Sequence, residues 1–436
     1  MTTPANMPSW MRECSTPSSH MPEAAWLKEL RLQQQAMFLE HGLPTQHDER
    51  WKYTDLSFLN KLICASAQNT HRPLDNMSTL INQYRIKHHD TILFVFINGH
   101  YVPYLSDIKK LPAKARATSL LMALKENENT IKAHWHVFND TVHRPFASMN
   151  AAAFSDGLFL QLPKHHALLT PVHLLSFSTT EHVSIEQPRH LILLGEYSQL
   201  TLIEEYAALP THSNITHVTN TVTAIQLNEA AQLRHCKIQH ACPHALHTAH
   251  TFIHQYKNSR LHYTNFSKEA TFSRNDLVIK LNEAGAECKM AGFYELTQDG
   301  QYCDNHLEID HIAPYCKSEM LYKGMLDKKS RAVFNGRLHV IQDAQKTSAY
   351  QANHNIVLSP QAEVYTKPEL EIYANDVQCK HGATVGQLSE DALFYMQSRG
   401  IIKTDAIAIL LQGFSEEIVQ GIEDPITKSH VQERVK

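Results

Sequence analysis

The chain has 436 residues, 43% hydrophobic and 19% charged, with 40 Lys and Arg against 44 Asp and Glu for a formal charge of −4. That length and apolar content allow a sizeable core, or about three domains of roughly 150 residues each, and exclude a mini-protein or a disordered chain. The near balance of charge excludes a polyanion-binding surface, so nucleic acid is not an expected partner. Histidine stands out: the 30 present would move the formal charge from −4 to +26 if all were protonated, a change expected below about pH 6.5. Such abundance fits either metal handling or His usage at solvent-facing strand positions.

The first twenty residues show no basic start followed by an apolar stretch, and the strongest apolar runs, Ile92 to Ile97 and Ala406 to Leu411, are far short of the ~20 residues a bilayer requires. Neither export nor a membrane span is expected, which places the protein in the cytoplasm. Eight cysteines, at positions 14, 64, 236, 242, 288, 303, 316 and 379, contain no CxxC pair, as expected of reduced thiols without a zinc ribbon or a self-held ferredoxin-type cluster.

A Ser-, Thr-, Pro- and Met-rich opening leads into a predicted helix, with Pro22 at its start, Gly42 at its end, and Ala25, Trp26, Leu30, Ala36, Met37 and Leu39 near helical spacing. The aromatic-basic stretch Glu49 to Leu56 and a polar region around 64 to 80 follow. Ile92 to Ile97, closed by Asn98-Gly99, reads as a buried strand. Residues 1–150 thus form a mixed, partly helical N-terminal region.

Residues 151–386 read as one large β block of short runs rich in Val, Ile, Thr, Tyr and Phe. Period-two alternation marks Phe252, His254 and Tyr256, then Leu277, Ile279 and Leu281, then Leu370, Ile372 and Ala374. The segment Leu227 to Leu233 nearly returns as Leu281 to Glu287, and polar turns recur every 25 to 30 residues or so, a solenoid interval. A large sandwich or barrel is the competing arrangement. Residues 387–436 read as a helical module: Ser389 caps a helix ending at Ser398 with Gly400 beyond it, Thr404 caps a second ending at Gly413, and Ser415 starts a third. Their apolar positions, among them Leu393, Phe394, Ile407, Leu410 and Ile418, either pack on the β block or face a partner.

No GxxxxGK[ST] loop, GxGxxG, GxSxG or HExxH occurs, so the signatures of nucleotide binding, serine hydrolysis and zincin chemistry are missing. Cys303, His306, His311 and Cys316 carry metal-binding residue types, but on a strand Cys303 and His306 fall on opposite faces. Cys236 and Cys242, with His235, His240, His244 and His247 nearby, are a weaker set. Cys379 and His381 are i and i+2 and share one face of an extended segment, where an imidazole near a thiol can support thiolate formation or joint ligation of a soft metal.

Several segments together carry a resemblance. They are Arg331-Ala332-Val333-Phe334-Asn335-Gly336, Ala344 to Gln351, Pro368-Glu369-Leu370-Glu371-Ile372, Cys379-Lys380-His381-Gly382-Ala383-Thr384-Val385-Gly386 and Ser398-Arg399-Gly400-Ile401, with Trp51-Lys52-Tyr53-Thr54 and Asp304-Asn305-His306 upstream. The chain resembles the SufB/SufD family of iron–sulfur cluster assembly proteins, nearer its SufD branch. The resemblance implies a mainly β fold, a right-handed parallel β-helix flanked by α-helical N- and C-terminal regions. It implies a non-catalytic scaffold that pairs with SufB, binds the SufC ATPase through its C-terminal helices, and receives sulfur indirectly from a cysteine desulfurase and its carrier. His381 matches the family's interface histidine, implied as an iron ligand or iron-entry group, and Cys379 the cysteine beside it; Lys380 departs from the Ser expected between them. Phe394, Tyr395 and Arg399 are the implied SufC contacts. No cofactor is expected to stay on the isolated chain, only a transient iron–sulfur cluster at the SufB interface, and the chain alone is expected to self-pair. A carbohydrate-active β-helix enzyme and a stand-alone His-rich metal binder are the competing functions.

Overall fold

The structure, a computed structural model, describes residues 7–17, 24–66, 77–87, 89–138, 144–179, 183–208, 216–240 and 244–435; Pro22 and Cys242 lie outside them. From Leu158 to Gly386 strands alternate between an 11-stranded and a 10-stranded sheet, except that Ser184–Glu186 and Arg189–Leu194 follow one another in the former, and the strand pairs within that span are parallel. Phe272 faces Tyr302, Tyr302 faces Arg331 and Arg331 faces Glu363. One turn therefore takes about 30 residues, and the fold is a parallel β-solenoid; the sandwich and barrel alternatives, built on antiparallel pairs, fall away.

The near-repeat marks a corner. Tyr197, Ala230, Asn258, Gly285, Tyr315 and Lys346 all take positive φ, between 54° and 76°, and each donates its amide N–H to a carbonyl one turn further on, from Ala230 to Lys257 through Lys346 to Asp376. A Cβ on Gly285 would lie 2.2 Å from Asn258 Oδ1, whereas one on the equally left-handed Gly300 would meet nothing. Gly285→Ala is expected to lose more stability in urea denaturation than Gly300→Ala, which carries only the backbone strain of about 1–2 kcal/mol.

Side chains alternate between the lumen and the two outer faces. Leu277, Ile279 and Leu281 join Leu307, Ile309, Phe334 and Leu338 in one continuous lumenal core. The outer face of the 11-stranded sheet is covered by the N-terminal region, where Trp10, Phe38, Trp51, Phe146 and Met149 pack on Val218, Leu246 and Phe272. Phe252 is buried there too, so the Phe252/His254 alternation marks the outer face. The outer face of the 10-stranded sheet is covered by C-terminal residues Ile418, Val419, Ile422 and Val431, which pack on Ile203, Cys236, Ile238 and Phe266. Strands covered on both faces lose their alternation: His217–Leu227 is buried at every position, while the later Ser348–Val357 alternates.

The N-terminal region also supplies strands. Ile92–Ile97 joins the 10-stranded sheet beside Ala167–Ser178, and the helix Ala25–His41, earlier in the chain, ends at Gly42 with φ 69°. At the C-terminus, Ser389 caps the helix Glu390–Ser398 by accepting from the Ala392 amide. The break expected near Gly413 is absent: one helix runs Lys403–Gln420 with Ile402, not Thr404, before it, and the last helix is Pro425–Val435. The stripe Ala406, Leu410, Phe414 and Ile418 continues at i+4 across Gly413, and its burial outweighs the ~1 kcal/mol that glycine costs.

Candidate functional site at the open end of the solenoid

The last turn consists of Glu363–Ile372 and Gln378–Gly386, each the terminal strand of its sheet. No further turn covers them, so both present unpaired backbone edges and the lumen is open between them. Val364, Leu370 and Cys379 still pack partly on the lumenal core, while Tyr373 and Val385 are 62% and 51% exposed.

The register fixes where His381 points. Tyr263, Met290, Met320, Gln351 and His381 stand in one column across the 10-stranded sheet. The first four are buried and His381 is exposed, because the column ends there. Cys379 ends the neighbouring column of Leu261, Cys288, Ser318 and Ala349. Beneath His381, the Gln351 side-chain amide donates to the Gly336 carbonyl at 3.0 Å, which holds that column rigid. Lys380 projects to the other face and is exposed.

Cys379 and His381 share a face, but among the described residues no hydrogen bond joins them; two residues of strand separate them by about 7 Å. Burial pushes the Cys379 thiol up, with the Ala349 backbone pulling weakly the other way, so this chain alone keeps a protonated thiol there at neutral pH. The end of the solenoid therefore offers one imidazole and one half-buried thiol, borderline and soft ligands that a metal or cluster could take only with groups from an opposing surface.

The other residues singled out from the sequence do not converge. Cys303 faces the lumen, where Asn305 Nδ2 approaches its sulfur at 3.4 Å; His311 Nε2 meets Ser318 Oγ at 2.8 Å; Cys316 Sγ approaches the Glu283 carbonyl. His306 lies on the outer face 3.7 Å from Glu308, and burial holds it well below the ordinary imidazole value. His235 and His247 are buried in the solenoid, while Cys236 lies under the C-terminal helices. Phe394 and Tyr395 sit on a helix with no buried residue, 74% and 60% exposed, with the Arg399 guanidinium 5.4 Å from the Tyr395 ring centre.

Two charged clusters escaped the sequence reading. In the lumen, Glu204 accepts from His235 and Tyr206, and burial pushes the nearby Lys237 down to about 8. Under the N-terminal region, Arg274 bonds Asp276 and Asp304 and lies 3.7 Å over the Trp51 ring, while Arg50 and Arg144 both reach Glu308. The available signal was a pair of carboxylates, Glu204 and Glu205, inside an otherwise apolar run. Arg274 and Asp276 gave a second, as opposite charges at i, i+2 on one strand face.

Among the described residues no helix is long and apolar enough to cross a membrane. The SUF system FeS cluster assembly SufBD core domain matches residues 177–414, and the SufBD protein N-terminal region matches 17–174. An iron–sulfur cluster assembly SufBD family protein of Synechocystis sp. is 33% identical over 87% of this chain and 84% of its own length. The iron–sulfur cluster assembly protein SufD of Escherichia coli is 29% identical over 95% and 94%. A chloroplastic protein of Arabidopsis thaliana is 24% identical over 97% and 87%. With both regions matched and the solenoid between its helices in place, the chain belongs to the SufB/SufD family of iron–sulfur cluster assembly proteins and is SufD-like.

Proposed function

We propose that this chain is a non-catalytic scaffold subunit that completes a cluster-building site only when the open end of its solenoid meets that of a SufB-type paralogue. The observation that carries this reading is the column ending in an exposed His381 between two unpaired strand edges. Edge-to-edge pairing supplies main-chain hydrogen bonds and registers the two lumens. His381, with Cys379 beside it, then faces ligands of the other chain, and iron and sulfide enter as cargo rather than as a resident cofactor. Sulfur arrives through a desulfurase and its carrier, and the work takes place in a reducing compartment such as the cytoplasm, in keeping with seven free cysteines among the described residues. Alone, the chain would pair its open edges with a second copy.

A SufC-type ATPase docks on Phe394, Tyr395 and Arg399. Exposed aromatics beside an arginine are the residue types that dominate interface energies. Phe394→Ala with Tyr395→Ala is expected to reduce capture of the ATPase at least about tenfold, some 1.4 kcal/mol, while capture of the SufB-type chain is unchanged. Undiminished ATPase capture would remove this helix from the interface.

A further inference from the structure

A second set of ligating side chains lies where the last helix meets the 10-stranded sheet. Glu204 and Glu205 are adjacent on the strand Gln199–Ala208, and alternation sends Glu204 into the lumen and Glu205 outward beneath the helix Pro425–Val435. Glu205 Oε2 lies 2.8 Å from His173 Nε2 and 2.8 Å from His430 Nε2. All three ligand atoms fall within 4.8 Å of one another. The two imidazole rings are inclined by 67° with centres 5.5 Å apart. His173 and Glu205 are fully buried and His430 is 2% exposed.

The other carboxylate oxygen is engaged separately: His240 Nε2 approaches Oε1 at 2.7 Å and Arg434 Nε at 3.2 Å. These two contacts orient the carboxylate and leave Oε2 to the two imidazoles, the division of labour found between outer partners and ligands at metal sites. One carboxylate and two imidazoles are a donor set that a divalent cation of the zinc class takes. Tetrahedral ligation at ~2.1 Å spaces ligand atoms by about 3.4 Å, so each Glu205–imidazole contact has to open by about 0.6 Å.

We propose that His173, Glu205 and His430 bind one divalent transition-metal ion of the zinc class, which clamps the C-terminal helix to the solenoid. The ion is structural and distinct from any cargo at His381. Six strand spacings, about 29 Å, separate the strand of Glu205 from that of His381. Arg434, 20% exposed, stays on Oε1 and weakens the affinity without occupying the ligand side.

The test uses the full chain, stripped with chelator and titrated with Zn²⁺ against a chromogenic competitor, then with Co²⁺ for its visible ligand-field band. About one equivalent is expected, with three protein ligands and a water completing four-coordination. His173→Gln and His430→Gln keep a side-chain N–H that can reach Glu205 but remove the imidazole ligand; each is expected to weaken zinc binding at least tenfold and abolish the cobalt band, with circular dichroism unchanged. His41→Ala, on the exposed end of the N-terminal helix, is expected to bind as the wild type does. Less than a fifth of an equivalent on folded wild-type chain would overturn the proposal, leaving a hydrogen-bonded clamp only. Undiminished binding in both Gln variants would overturn it too, by placing the metal elsewhere among the histidines.

Discussion

His381→Ala is expected to leave the chain folded and able to join a SufB-type partner, while the complex it forms carries at least about tenfold less iron and labile sulfide than the wild type, the scale of loss when a metal site's support is removed. His381 is exposed on a terminal strand, so truncating it should change stability by no more than about 0.5 kcal/mol. Pairing of open edges runs through backbone groups and tolerates the change. The loss would therefore appear in cluster content and not in complex yield. Cys379→Ala separates the two groups: its thiol is half-buried and kept protonated by burial, so a smaller loss is expected from it. A fully loaded His381→Ala complex would reduce the histidine to a shape contribution.

Arg274→Met is expected to destabilise the protein by about 3–5 kcal/mol, the range for breaking a buried ion pair from one side. The guanidinium is 2% exposed, bonds Asp276 and Asp304 and donates to the Arg50 carbonyl, so its loss strands two buried carboxylates and unseats Trp51. The sign of the pH dependence distinguishes this from simple loss of packing. In the wild type, against the penalty of burial, Arg274 holds Asp276 far below the usual carboxylate range. That stability is fully present above the unfolded value near 3.9 and lost only as pH falls through the lower folded value. In the variant, burial without the guanidinium carries the folded value of Asp276 above the unfolded one and pushes that of Asp304, which burial already raises, higher still. The folded state then binds more protons, and stability falls as pH rises from about 4. The urea-measured difference between wild type and variant should accordingly be smaller at pH 5 than at pH 8; a difference independent of pH would mean that packing alone was lost.

The solenoid was legible where its corners repeat. Leu227 to Leu233 and Leu281 to Glu287 are the same left-handed corner two turns apart, with Ala230 and Gly285 in equivalent places. Period two was legible in Leu277, Ile279 and Leu281, which line the lumen, and invisible in His217–Leu227, where both faces are buried. Cys379 and His381 could be assigned to one face from spacing, but that the face ends uncovered depends on where the last turn stops. The Gly413 break failed because tertiary burial of the helical stripe outweighs a local preference. The Arg274, Glu204 and Glu205 clusters join residues up to 258 positions apart, as with Arg50 and Glu308, and no local pattern encodes such a meeting.

The most direct test is an anaerobic co-purification of the tagged chain with the SufB-type and SufC-type proteins of the same organism, scored for stoichiometry, iron and labile sulfide. The account predicts a complex in which this chain pairs with one SufB-type chain, recruits the ATPase, and carries cluster that neither solenoid holds when purified alone. Recovery of the tagged chain without either partner, or of an equally loaded cluster on this chain by itself, would contradict it.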